Sequence, residues 1–120
     1  MDKKILLVDD AAFMRMLIKD TLTKNGFTNI IEAADGEIAC QMYEAESPDL
    51  VVMDITMPNK TGIEALSEIK AKNPTAKIIM CSAMGQEAMV VEAIKLGALD
   101  FIVKPFKPDR ILQTVTKILG

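Results

Sequence analysis

The sequence contains no histidine, and this absence removes several functional classes at once. Catalysis by an imidazole acid or base, zinc binding through imidazole and self-phosphorylation on histidine are all excluded. Only two cysteines are present, Cys40 and Cys81, too few and too far apart to predict a zinc site or a disulfide framework. We therefore expect both thiols to act as small buried hydrophobic groups.

Three further features are missing, and each absence excludes a class of function. No glycine-rich phosphate loop of the P-loop or dinucleotide-binding type is present. No apolar run approaches the roughly 18 residues of a membrane span, and the first run is too short for a signal-peptide core. The net charge is −3, without the basic stripe that nucleic-acid binding needs. We therefore expect a cytoplasmic protein that binds neither nucleic acid nor membranes.

The 120 residues do contain an alternation of short apolar runs with longer amphipathic segments, repeated five times. The runs cover residues 5–8, 29–33, 50–53, 78–81 and 101–103. Four are continuously apolar, as in parallel strands covered on both faces, whereas 29–33 has polar borders and is typical of an edge strand. Between and after the runs, apolar stripes at helical spacing are formed by Phe13, Leu17 and Thr21; Ile38 and Met42; Ile63, Leu66 and Ile69; Val90, Ala93 and Ile94; and Ile111, Val115 and Ile118. This order predicts an α/β fold of the (βα)5 type, a doubly wound parallel five-stranded sheet in one domain spanning residues 1–120.

Polar side chains follow four of these runs. Asp9 and Asp10 follow the first run, Asp54 the third, Ser82 the fourth and Lys104 the fifth. Because ligands of open α/β sheets bind outside the carboxyl ends of the strands, we expect these side chains to converge. Each alone has a structural explanation, and Asp10, for example, could cap the first helix. The joint pattern favours a functional site.

The charges of these side chains indicate what the site would bind. Three carboxylates and one ammonium sum to about −2, and such a cluster repels itself unless a cation joins it. Oxygen ligands without histidine or cysteine suit Mg²⁺, which would bring the sum to about zero. A phosphoryl group on one carboxylate would then leave it at about −1. The sequence thus predicts a site for Mg²⁺ together with phosphate.

These residues resemble the receiver domain of bacterial two-component response regulators, and the resemblance covers the whole chain. The strings DDAAFMRM, MDITMP, CSAMGQ and DFIVKPF are similar to the chemotaxis branch of that family. The resemblance implies a flavodoxin-like sheet with the strand order 2-1-3-4-5 and a single receiver, or response regulatory, domain.

The resemblance also implies roles for individual residues. Asp54 matches the phospho-acceptor, the nucleophile that takes a phosphoryl group from a histidine kinase. Asp10 and Asp54 match the carboxylates that ligate Mg²⁺, with the backbone carbonyl of Thr56 beside them. Asp9 matches the acid that acts mostly through metal-bound water.

Three further positions match the switch machinery of the family. Lys104 matches the ammonium that holds a phosphoryl oxygen, and Ser82 the hydroxyl that shifts to bond another. Phe101 stands where the family has its switch aromatic, and its rotation would change the face formed by the fourth helix, fifth strand and fifth helix. The resemblance further implies a cis peptide bond between Lys104 and Pro105. In one departure from the family, the loop at 59–61 reads Asn-Lys-Thr, so we expect Lys60 to add positive charge near the metal loop.

On this basis the sequence predicts a chemotaxis response regulator that is not an enzyme but a phospho-accepting switch with self-dephosphorylation. The implied partners are a chemotaxis histidine kinase as phosphodonor, a phosphatase of the same system and the flagellar motor switch protein. A monomer is expected.

Three alternatives remain open. The first is a single-domain phosphorelay intermediate, and the second is a receiver cut from a longer DNA-binding regulator; a start at Met1 and an end after the fifth helix favour a natural single-domain protein over the latter. The third is a Mg²⁺-dependent phosphohydrolase of the haloacid dehalogenase type. That family needs a second Asp two residues after the nucleophile, where this sequence has Thr56.

Overall fold

Strands and helices alternate along the chain in the order that the apolar runs predict. The structure is a computed structural model, and it describes residues 3–120; Met1 and Asp2, which the predicted domain 1–120 includes, lie outside the described residues. The strands are β1 Ile5–Val8, β2 Ile30–Ala33, β3 Leu50–Asp54, β4 Ile78–Ser82 and β5 Asp100–Val103. The helices are α1 Ala12–Lys24, α2 Gly36–Glu46, α3 Gly62–Lys72, α4 Glu87–Lys95 and α5 Pro108–Leu119. The (βα)5 prediction is confirmed.

The strands form one parallel sheet in the order β2-β1-β3-β4-β5, which confirms the strand order implied by the resemblance. Val8 at the end of β1 lies beside Met53, which precedes Asp54. Asp54 in turn lies beside Cys81, and Ser82 beside Val103. This register brings the last residues of neighbouring strands to the same edge of the sheet.

Two hydrophobic cores cover the two faces of the sheet, as a doubly wound fold requires. In β1, Leu6 and Val8 point to the core beneath α2, α3 and α4, whereas Ile5 and Leu7 point to the core beneath α1 and α5. Strands β1, β3 and β4 are buried along their whole length, and β2 is only partly buried, as predicted for an edge strand. The prediction that β5 is covered on both faces is wrong, because β5 is the other edge strand and Val103 is 40% exposed. Both cysteines are buried and free, which confirms their predicted role.

The stripe formed by Phe13, Leu17 and Thr21 is not the buried face of α1. Phe13 is 63% exposed and Leu17 41% exposed, and the helix instead buries Ile18 and Leu22. The helix carries apolar residues on two adjacent stripes, and its buried stripe is the one that packs in the core shared with α5. Periodicity alone finds both stripes and does not choose between them.

The other helices follow their predicted stripes more closely. Ile111 and Val115 of α5 are buried, and so are Leu66 and Ile69 of α3. The exceptions are Ile38 and Ile94, which are 37% and 44% exposed. Among residues 3–120, no helix combines the length and the apolar composition that crossing a membrane requires.

Candidate functional site

The three predicted carboxylates meet at the carboxyl edge of the sheet. Asp9 follows β1 and is 4% exposed, and Asp54 ends β3 and is 9% exposed, while Asp10 faces solvent. One carboxylate oxygen of each residue lies within 4.8 Å of the others. Three oxygen donors this close, one of them open to solvent, match the ligand chemistry of a hydrated Mg²⁺ ion.

Lys104 reaches into this cluster from the loop after β5. Its Nζ lies 3.0 Å from Oδ2 of Asp9 and 3.3 Å from Oδ2 of Asp54. The backbone of Lys104 is fixed by its own N–H, which donates to the carbonyl oxygen of Ser82 at 2.7 Å. The peptide bond between Lys104 and Pro105 is cis, as predicted. One ammonium is therefore shared between two carboxylates.

Burial and charge set the ionisation of the cluster. Burial raises the pKa of Asp54, and the neighbouring Asp9 charge acts in the same direction, whereas Lys104 opposes the shift. For Lys104, burial alone would lower the pKa, but the hydrogen bond to Asp9 and the charge of Asp54 raise it on balance. The ammonium is thus held charged, while ionisation of Asp54 is still opposed. A bound cation would relieve this opposition.

Asp9 is held from two sides. Its Oδ1 accepts a hydrogen bond of 2.9 Å from the backbone N–H of Ala11, and its carbonyl oxygen accepts one from Arg15 Nη1. Arg15 is itself fixed by an ion pair with Glu32 of β2, with 2.9 Å between Nε and Oε1. Sequence reasoning missed Arg15, because nothing local shows that α1 packs its guanidinium beside β2.

The capping interpretation of Asp10 is not supported. Helix α1 has Ala11 at its N-cap position, and no side chain there accepts a hydrogen bond from the helix. The exposed carboxylate of Asp10 is therefore left beside Asp9 and Asp54, as the functional interpretation requires.

The loop between β3 and α3, which carries Thr56, is fixed by backbone contacts and by a side-chain hydrogen bond. The Gly62 N–H donates to the carbonyl oxygen of Ile55 at 2.7 Å, and a Cβ at Gly62 would lie 2.0 Å from the carbonyl oxygen of Asp54. Asn59 has a left-handed φ of 67°, and its Nδ2 donates to Asp35 Oδ2 at 2.9 Å. Sequence reasoning missed Gly62, because a close approach between backbones has no periodic signal.

Replacing Gly62 by alanine is expected to lower the free energy of unfolding by at least ~2 kcal/mol, because the new Cβ meets backbone atoms at the end of β3 that cannot swing aside. The comparison is Gly26→Ala, where φ is 94° but nothing lies within 4 Å of the new Cβ, so only the left-handed backbone cost of about 1–2 kcal/mol applies. Urea unfolding of both variants measures the difference. Equal destabilisation of the two would contradict the assigned contact.

Lys60 brings its ammonium to the loop, as expected, but two carboxylates pair with it and offset its charge. Its Nζ is paired with Glu68 of α3 and lies 3.1 Å from Oε2 of Glu37 of α2. The hydrogen bonds to Glu68 and then Glu37 raise the pKa of Lys60. These two ion pairs hold the loop against α2 and α3. The sequence could not show them, because both partners are distant along the chain.

Ser82 and Phe101 connect the site to a surface groove. Ser82 is 1% exposed at the end of β4, and Phe101 of β5 is partly buried against the core beneath α4. Both residues line a groove of about 710 Å³ whose opposite wall is formed by α4 residues, among them Val90 and Ile94. A movement of Ser82 would therefore change the shape of this apolar groove directly.

One further side chain at the site, that of Gln86, was missed by sequence reasoning. Gln86, at the start of α4, donates from Nε2 to Oγ1 of Thr56 at 2.8 Å. Thr56 itself is exposed, two residues after Asp54. Neither charge nor periodicity in the sequence pointed to Gln86.

Comparisons with known proteins agree with this architecture. The family model described as response regulator receiver domain matches residues 5–116. The chain is 60% identical over 120 residues to the chemotaxis protein CheY of Bacillus subtilis, covering 100% of both chains. It is 56% identical over 118 residues to the chemotaxis protein CheY of Thermotoga maritima, covering 98% of both chains.

A solved structure gives the same result for the fold. The receiver domain of NtrX from Brucella abortus superimposes with a TM-score of 0.91 at 35% identity, over 97% of this chain and 98% of the other. With a family model that spans most of the residues and full-length relatives above half identity, the resemblance found in the sequence is confirmed. The chain belongs to the response regulator receiver domain family.

Proposed function

We propose that this chain is a chemotaxis response regulator that accepts a phosphoryl group on Asp54 in a Mg²⁺-dependent reaction, with residues 1–120 forming one receiver domain. The observation that carries the proposal is the convergence of three carboxylates and one ammonium at the edge of the sheet. The full-length similarity to proteins named chemotaxis protein CheY supports the choice of pathway.

The chemistry follows from the positions of Asp54 and Lys104. A carboxylate oxygen of Asp54 attacks the phosphorus of a phosphohistidine, a P–O bond forms, the P–N bond breaks, and the imidazole of the partner leaves. The donor histidine belongs to a kinase, since this chain has no histidine. Lys104, 3.3 Å from Asp54, is placed to neutralise charge on the transferred group.

The donor set also fits the metal. Asp10 and Asp54, with the carbonyl oxygen of Thr56, would hold Mg²⁺, and Asp9 would contact it through bound water. Mg²⁺, when bound, supplies neutralisation of the phosphoryl oxygens and of the crowded carboxylates. The acyl phosphate formed on Asp54 is a reactive anhydride that water hydrolyses without a dedicated base, so the protein is a signalling switch with self-dephosphorylation.

The output of the switch is assigned to the groove between β5 and α4. The phosphoryl group draws the Ser82 hydroxyl toward it, and Phe101 turns into the space that this movement opens. Because both residues line the groove, its shape then depends on phosphorylation. A shift of this kind needs only a few kcal/mol of differential contact.

The phospho-acceptor role and the output groove together indicate the partners. We infer a chemotaxis histidine kinase as phosphodonor, a phosphatase of the same system, and the flagellar motor switch protein as the target of the phosphorylated form, all acting on a monomer in the cytoplasm. Nucleic acid and membranes are not proposed as partners.

The proposal is tested by binding of the full chain to an N-terminal peptide of a flagellar motor switch protein, followed by calorimetry. With Mg²⁺ and beryllofluoride as a phosphoryl mimic, we expect affinity to rise about ten-fold, since a differential contact of ~1.4 kcal/mol produces that factor. The Asp54→Ala variant should show the basal affinity only.

The possible outcomes distinguish the motor-binding hypothesis from the phosphorelay hypothesis and test the site itself. If beryllofluoride changes the NMR spectrum but no peptide binds, the phospho-acceptor chemistry stands and the motor output is wrong, which favours a phosphorelay intermediate. If beryllofluoride changes nothing, the proposed site itself is wrong.

A further inference from the structure

The Gln86 side chain joins the two loops that border the phospho-acceptor site. The backbone N–H of Ala83 donates to Oε1 of Gln86 at 2.6 Å, and Nε2 of Gln86 donates to Oγ1 of Thr56 at 2.8 Å. Ala83 directly follows Ser82 at the end of β4, and Thr56 lies two residues beyond Asp54 at the end of β3. One amide therefore bridges the ends of two neighbouring strands.

The orientation of this amide is fixed by its partners. The N–H of Ala83 can only donate, so the oxygen of the Gln86 amide must face it, and the nitrogen must then face Thr56. The oxygen and the nitrogen of the amide thus each hydrogen-bond to a different loop. The side chain is half-buried there, although the two residues that it joins are exposed.

The local backbone turns Gln86 toward the loops instead of toward its own helix. Gln86 occupies the N-cap position of α4, where a side chain ordinarily accepts a hydrogen bond from the first helical turn, yet it makes no such bond. The preceding Gly85 has a φ of 91°, in the left-handed region that favours glycine. This turn folds the chain back so that Gln86 reaches Ala83.

The bridge occupies a backbone donor at the strand end beside Asp54. A phosphoryl group carries three strong acceptor oxygens. Lys104 is paired with Asp54, and Ser82 is the last residue of the neighbouring strand β4, so we infer that each can donate a hydrogen bond to one of these oxygens. The backbone N–H next to Ser82 is that of Ala83, and it is already bonded to Gln86.

We propose that Gln86 is a positioning residue that acts as a clasp: it occupies the Ala83 N–H and ties it to the Thr56 loop until a phosphoryl group on Asp54 displaces it. This inference rests on the proposed function, because it assumes that Asp54 is the acceptor. The clasp opposes occupancy of the site, and its opening releases the start of α4, which forms one wall of the groove beside Phe101.

The test compares Gln86→Met with wild type, since methionine keeps the length of the side chain and removes both hydrogen bonds. In saturating Mg²⁺, beryllofluoride should bind about five-fold more tightly to Gln86→Met, because one competing hydrogen bond is removed. Thr56→Val, which removes only the second bond, should tighten binding about two-fold. Gln41→Met, the same change at an exposed position of α2, should leave the affinity unchanged.

A second readout needs neither metal nor phosphate. In the unphosphorylated protein, the Ala83 amide proton of Gln86→Met should shift upfield and exchange with solvent faster than in wild type, whereas Gln41→Met should not alter it. Gln86→Ala, which also lacks the amide, should reproduce both effects.

Each negative result has a separate meaning. An unchanged or weaker affinity of Gln86→Met, or an unaltered Ala83 amide, overturns the clasp while the proposed function stands. Failure of the wild-type protein to bind beryllofluoride overturns the proposed function, and the clasp with it.

Discussion

Replacing Asp54 by asparagine is expected to abolish phosphorylation and, at the same time, to raise the melting temperature of the metal-free protein. Phosphorylation stops because the amide of asparagine is not a nucleophile toward phosphorus. Stability rises because burial and the adjacent Asp9 charge oppose ionisation of Asp54 in the folded state. The neutral amide removes that opposition.

The pH dependence of this effect has a defined sign. A carboxyl whose pKa is raised by folding lowers stability when it is ionised, so the metal-free wild type gains stability as the pH falls through that raised pKa toward the ordinary pKa of an aspartate. The advantage of Asp54→Asn should therefore be largest at neutral pH and shrink as the pH falls. Added Mg²⁺ should reduce it too, because only the wild type retains the full ligand set.

Calorimetric melting curves and intact-mass measurements after incubation with phosphoramidate check both halves of this prediction. The matched control is Asp20→Asn on the exposed side of α1, which should change neither property. An Asp54→Asn variant that is still phosphorylated, or that melts lower than wild type at pH 7 without metal, would contradict the account.

Replacing Lys104 by alanine is expected to move two properties in opposite directions. Phosphorylation should slow by roughly 100-fold, since a preorganised donor to the transferred oxygens is lost. Affinity for Mg²⁺ should rise, because the three carboxylates lose the ammonium that lies 3.0 Å from Asp9 and 3.3 Å from Asp54. General damage to the fold would lower both properties together.

The measurements are the rate of phosphorylation by phosphoramidate and a Mg²⁺ titration followed by NMR. Lys77→Ala, at an exposed position before β4, is the control and should behave as wild type in both. The assignment of Lys104 fails if its removal leaves the phosphorylation rate unchanged.

The sheet and the strand-end site were predictable because both depend on local signals. The continuous apolar runs of β1, β3 and β4 mark strands that are covered on both faces, and the polar residue after each run marks the edge at which the strand ends. Once the strands are parallel, Asp54 and Lys104 lie at the same edge of the sheet, and the strand order implied by the resemblance places them only two strands apart. The weaker run that became β2 showed its edge position through its polar borders.

The features that could not be predicted all depend on how elements pack. Helix α1 has two apolar stripes, and only the position of α5 decides that Ile18 is buried and Phe13 exposed. The pairing of Lys60 could not be predicted, because its partners on α2 and α3 are distant in sequence. The contacts of Gln86 had no signal in charge or periodicity, since they depend on the turn at Gly85.

The central claim, that Asp54 accepts a phosphoryl group with the help of Mg²⁺, is tested most directly by the intact mass of the wild-type protein after incubation with phosphoramidate, once with Mg²⁺ and once with a chelator. The account predicts a gain of one phosphoryl group with Mg²⁺, located in the peptide that contains Asp54, and no gain with the chelator. No gain in either case, or a phosphoryl group located outside that peptide, would contradict it.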